Sequence, residues 1–151
     1  MAEGHGIARV PLQLSRNCIV ASIQVDLDDA VLTQFRTDLL EMLQRTSATA
    51  VVLDVSGIEI LDLVEFQAMR DTMSMAALMG ARTIFSGFQP GVVSALVELD
   101  APVDDIIAAF NLDAAFAILD EAEARDSEVG EAEEHEPDDA NGDEDGLADD
   151  H

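Results

Sequence analysis

The side chains that could do acid–base, metal or nucleophilic chemistry in this 151-residue chain are few and poorly placed for it. The three histidines are His5, His135 and His151, all near the ends, so the body offers no imidazole base or ligand. Cys18 is the single cysteine. It cannot form an internal disulfide, fits a reducing cytosol, and reads as a small buried hydrophobe on a strand. No Cys-x-x-Cys, His-Glu-x-x-His or Walker-type glycine loop occurs. Asp28-Asp29 and Asp104-Asp105 are adjacent carboxylates, but helix capping and solvation account for both pairs. Met69, Met73, Met75 and Met79 fall in one helical stretch, which assigns most of them to a core. The chain is therefore not read as an enzyme, and no cofactor or metal is expected.

What remains is recognition, and it concentrates in Asp54-Val55-Ser56-Gly57-Ile58-Glu59-Ile60-Leu61-Asp62-Leu63. A buried strand ends in an acid, turns, and reaches a helix start where backbone N–H groups are free. In open parallel sheets the carboxyl ends of the strands carry the functional loops.

The elements around this junction alternate. Residues 7–14 and 17–24 are short and β-rich, joined by the polar turn Ser15-Arg16-Asn17, and Pro11 puts the first strand at an edge. Asp26-Leu27-Asp28-Asp29 signals a helix start, and Leu32, Phe35, Leu39 and Leu43 continue it at helical spacing for about 18 residues. Residues 50–55 form an unbroken apolar run, the pattern of a central strand covered on both faces. A helix over about 62–79 stops at Gly80, a strand over 82–86 stops at Gly87, and Gln89-Pro90 opens a third helix. Ile106-Ile107 is expected as a short last strand. Asp113 is expected to cap a final helix with Ala117, Ile118 and Leu119 turned inward. Such alternation implies a largely parallel sheet with right-handed crossovers in a compact α/β domain.

Charge divides the chain. It carries 32 acids against seven basic residues, all arginine, for a net charge of −25. Thirteen of those acids fall in residues 126–151, where no base offsets them, leaving a net of −12 in residues 1–125. That segment has too little apolar content to offset the entropy of ordering it, and it is expected to be a disordered acidic tail. Residues 7–125 form the folded body and 1–6 a flexible start. The missing lysine fits a GC-rich genome or adaptation to high salt; the concentration of charge in one tail favours the first. A chain this acidic has no footprint for nucleic acid or an anionic membrane, and no apolar run is long enough to span a bilayer. No secretory signal opens it, and a cytoplasmic location is expected.

The junction resembles that of STAS domains, the family of bacterial anti-sigma factor antagonists and stressosome proteins. Asn17-Cys18, Ser22-Ile23-Gln24 and Leu27-Asp28-Asp29, then Leu78-Met79-Gly80-Ala81, Gly87-Phe88-Gln89-Pro90 and Leu96-Val97-Glu98-Leu99, resemble the stressosome scaffold proteins of the RsbS type. The likeness runs from about residue 12 to about residue 120. It implies a STAS-like two-layer α/β domain with a mostly parallel, mixed sheet and about four helices. It implies a non-enzymatic partner-switching protein that binds a serine/threonine switch kinase and joins other STAS co-antagonists in a homo- or hetero-oligomer. The alternative is a stand-alone anti-sigma factor antagonist that binds an anti-sigma kinase. The switch junction would comprise Ser56, Gly57, Asp62 and Leu63. In such proteins the phosphoacceptor is a serine or threonine directly after the acid at the helix start. That acid matches Asp62, and Leu63, which follows it, cannot be phosphorylated. Ser56 is then the nearest displaced phosphosite, although a role in the turn beside Gly57 accounts for it as well. Thr72 and Ser74, away from the helix start, are weaker candidates.

Overall fold

The computed structural model describes residues 8–134, the last five by backbone alone. The flexible start expected at 1–6, and His5, His135 and His151, lie outside the described residues. The chain divides into two units, one up to Leu119 and one from Asp120.

Proline delays the first strand. Pro11 has no N–H to give a ladder, so the strand expected over 7–14 shortens to β1, Leu12–Ser15. Arg16 and Asn17 then adopt φ of 56° and 64°, the two left-handed residues of a type I′ hairpin turn. They return the chain as β2, Cys18–Ser22, with Ser15 opposite Cys18. Asp28 caps α1, Asp29–Thr46, through its Oδ1, which accepts from the Val31 N–H at 2.8 Å. The chain then forms β3, Ala50–Asp54; α2, Leu63–Leu78; β4, Arg82–Ser86; and α3, Pro90–Glu98.

The sheet has five strands in the order β1-β2-β3-β4-β5. β1 is antiparallel to β2, and the other pairs are parallel. Because the parallel strands are laid down in one direction, right-handed crossovers put α1, α2 and α3 on one face. There Phe35, Leu39, Phe66, Met69, Val92 and Leu96 pack with Ile19, Val51, Leu53 and Phe85 in one cluster. On the opposite face Cys18, Ala50, Val52 and Ile84 meet Ala115, Leu112, Phe116, Ile118 and Leu119. Of the four methionines singled out in α2 and at its end, Met69 and Met73 are buried, while Met79 is exposed.

Three expectations need correction. The last strand, β5, is Ala108–Ala109 and not Ile106-Ile107. Its register is set by Phe85 N–H donating to the Ile107 carbonyl and Gly87 N–H to that of Ala109. The final helix, α4, begins at Leu112 under Asn111, whose Oδ1 accepts from Ala114 N–H at 2.9 Å. Asp113 sits in its first turn instead of capping it. The inward residue is accordingly Ala115, fully buried, and Ala117 faces out. Third, α4 runs on past Arg125 through Asp126 to Glu134, where a disordered tail was expected to begin. Glu128, Glu131, Glu133 and Glu134, with Ala132, are strong helix formers in that stretch, a local preference that the burial argument for disorder ignores. The rest of the acidic tail, 135–151, lies outside the described residues.

Candidate functional site

β3 delivers Asp54 to the edge of the sheet, where it pairs in register with Ser86 of β4 and Ser22 of β2. One carboxylate oxygen of Asp54 accepts from Ser56 N–H at 3.0 Å, an Asx turn that bends the chain away from the sheet. The group holding this turn is thus Asp54, not the Ser56 hydroxyl. Gly57 follows, and a Cβ there would lie 2.9 Å from the Ile23 carbonyl oxygen, so only glycine fits without displacing backbone. Ile58 and Leu61 are buried and pin the loop to the core.

The loop ends at α2 with both of its signals in place. Asp62 Oδ1 accepts from Glu65 N–H at 2.7 Å, and Glu65 Oε1 accepts from Asp62 N–H at 3.1 Å. This reciprocal capping box fixes the helix start rigidly and leaves its first N–H groups facing outward. Leu63 is the first helical residue and is 39% exposed. Ile60, 88% exposed, and Val64, 71% exposed, stand on the same loop and turn. The helix start therefore presents three apolar side chains to solvent. Beside them runs a groove of about 580 Å³ that Asp26, Asp28, Glu59 and Glu65 line, with no basic residue. An apolar patch flanked by acids suits contact with a protein surface and disfavours a phosphate-bearing ligand.

Ser56 and Gly57 thus form the turn, and Asp62 and Leu63 the helix start. A third group, which sequence reasoning missed, ties down the turn. Gln89, at the start of α3, makes no capping bond of its own. Its Nε2 instead donates to the Ser56 carbonyl at 2.6 Å. Gly87, at φ 85°, allows this approach, because a Cβ there would meet the Ser56 Cβ at 2.9 Å. The Asp62-x-x-Glu65 spacing is a capping-box signature that sequence alone carries; the Gln89 tie has no such signal. Thr72 is buried, which removes it as an accessible acceptor, whereas Ser74 and Ser56 are exposed. Among the described residues no group of three or more His, Cys, Asp or Glu side chains could hold a metal ion. No helix of the described residues is long and apolar enough to cross a membrane.

The family model of the STAS domain matches residues 9–117. Among solved structures, a serine-to-glutamate variant of RsbS from Moorella thermoacetica is similar with a TM-score of 0.68 and 24% identity, covering 78% of this chain and 99% of that one. A chain from the molecular architecture of the stressosome, a signal integration and transduction hub, is similar at TM-score 0.66 and 23% identity, covering 74% and 97%. A chain assigned as an anti-sigma factor antagonist from Thermotoga maritima is similar at TM-score 0.59 and 12% identity, covering 72% and 92%. At these identities the likeness establishes the fold. No curated protein matches the sequence.

Proposed function

This chain belongs to the STAS domain family, and from that premise we infer that it is a non-enzymatic scaffold of stress signalling. It binds a serine/threonine switch kinase and co-assembles with other STAS proteins in a stressosome-like complex in the cytoplasm. The observation that carries this reading is the start of α2. A capped, rigid helix terminus presents Leu63 where the resemblance implies a phosphoacceptor, with Ile60 and Val64 exposed beside it. In a switching protein, phosphate at that position adds charge to a contact surface and breaks it by repulsion and desolvation. Leucine makes the contact permanent: the surface stays apolar and holds its partner unmodified.

Two measurements test this. Incubated with the switch kinase and ATP, the wild-type chain binds the kinase and gains no phosphate in the junction, whereas Leu63→Ser becomes a substrate. Leu63→Asp weakens kinase binding by about tenfold or more, since it buries an unpaired charge at the contact. Phosphate mapped to Ser56 of the wild type would move the switch there and end the permanent-contact reading. Light scattering of the chain mixed with a larger STAS co-antagonist should reveal a particle many times the mass of either chain. The likeness to the Thermotoga chain supports a second reading, a stand-alone anti-sigma factor antagonist. A monomer or small dimer in both samples would favour it.

A further inference from the structure

A second cleft lies at the carboxyl ends of β3, β4 and β5, away from the exposed start of α2. It has a volume of about 330 Å³, at the small end of ligand pockets, and Asp54, Ser56, Ser86, Phe110, Asn111 and Asp113 line it. The topology places it where such sheets bind ligands. The connection after β4 runs through α3 on one face, and the connection after β5 runs into α4 on the other. Adjacent parallel strands whose connections part in this way open a crevice outside their carboxyl ends.

The residues there are unusual for a surface with no task. Ser86, 1% exposed, belongs to the cleft wall, and its hydroxyl has no hydrogen-bond partner within the chain. A buried hydroxyl left without a partner is costly and calls for an explanation. Phe110 is 88% exposed at the opposite lip. Asp54 uses one bond, to Ser56 N–H, and among the described residues no basic side chain lines the cleft. Two carboxylates, an orphaned hydroxyl and a free aromatic face together suit a small cation that donates hydrogen bonds. Anions are disfavoured: the positive end of α4 is already answered by Asn111 and by Asp113 in its first turn.

We propose that this cleft is a binding site for a small organic cation bearing a primary ammonium group, which donates to the Ser86 hydroxyl and to Asp54 while Phe110 covers it. The site is independent of the kinase reading. It shares Ser56 with the junction loop, so an occupant would touch the turn that Gln89 ties down.

The test is a titration of the full ¹⁵N-labelled chain with ethanolammonium chloride at constant ionic strength, followed by amide shifts. Saturable shifts confined to the neighbourhood of Ser56, Gly87 and Asn111 are expected. Ser86→Ala should weaken binding about tenfold and melt no lower than wild type, because it deletes an unpaired hydroxyl. Phe110→Ala, at an exposed position that leaves the fold intact, should weaken binding several-fold. Ethylene glycol and sodium acetate should move none of these amides. Non-saturating shifts scattered over the acidic surface would overturn the proposal, as would equal responses to glycol or acetate. So would unchanged binding by Ser86→Ala. An absence of any shift would leave Ser86 to a bound water only and overturn it equally.

Discussion

The two faces of the sheet bury different things. Between the sheet and α1, α2 and α3 the largest fully buried side chains are Phe35, Phe66, Ile19, Leu39, Leu53 and Met69. Under the start of α4 the buried set is Cys18, Ala50, Val52, Ile84 and Ala115, mostly small. The first face is covered automatically, because every parallel crossover returns over it. The second depends on one late segment, and small side chains at Ala50 and Ala115 let a single helix approach closely. The first face is thus the main source of stability. The second is where the sheet ends in polar groups, Asp54 and Ser86, and where the smaller cleft opens.

Deleting a ring from the first face should have the largest effect. Phe66 packs with its ring tilted against Phe85 and Phe88, at ring centroid distances of 6.4 and 6.5 Å. Phe66→Ala should cost about 3–5 kcal/mol in urea unfolding. On the second face Ile84→Val removes one methylene and should cost about 0.5–1.5 kcal/mol. Equal losses at the two sites would show that the faces share the load and erase the contrast.

The first face is also the part that the sequence displays best. Leu32, Phe35, Leu39 and Leu43 announce α1 by spacing alone, and Asp28 and Asp62 announce helix starts because a cap needs only a local oxygen. The second face is less legible. Ile106-Ile107 has the composition of a strand, but pairing is a non-local matter, and the ladder to Phe85 settles two residues later. Asn111 and Asp113 are equally good caps on paper. The choice of Asn111 moves the helix start by two residues, which turns the inward face by roughly 200° at 3.6 residues per turn and replaces Ala117 with Ala115. In the candidate site, Asp62 and Leu63 are readable from the junction pattern. The bond from Gln89 to Ser56 spans 33 residues, and no local preference encodes it.

Cys18 offers a probe of the second face. Burial raises its thiol from the ordinary 9.0 to about 11, partly offset by a backbone hydrogen bond from Val52. The chain has no lysine or tyrosine, so between pH 9 and 11 this thiol is the one side chain expected to titrate. Its native pKa exceeds the unfolded one, so the native state binds more protons across that window. Stability is then full below about pH 9 and falls as pH rises towards 11. Thermal melts should follow this loss, and Cys18→Ala should flatten it. A fall of the same size in Cys18→Ala would mean that the thiol is not shielded as the packing of this face requires.

The smallest effect is expected from removing the acidic end. The second face draws on Leu112, Ala115, Phe116, Ile118 and Leu119, all well before residue 126. A chain ending at Arg125 should melt within a few degrees of the full chain, and slightly higher if relief of charge repulsion outweighs the loss of helix. Loss of a cooperative transition on truncation would show that the covering of this face needs the whole of α4.

The strand order, identical to the order in the sequence, bears on how the protein is made. Each strand finds its neighbour already synthesised, so a chain leaving the ribosome can extend its sheet without waiting for a later strand to be inserted. The parallel partners Cys18 and Ala50, Ala50 and Arg82, and Phe85 and Ala108 are each separated by one intervening helix, so each pairing closes a long loop and is intrinsically slow, but none has to reach across the whole chain. The last pieces to emerge are the two-residue β5 and α4. Until they arrive, β4 is a bare edge and the small-residue face lies open, the state in which a nascent chain is most prone to pair with the wrong partner.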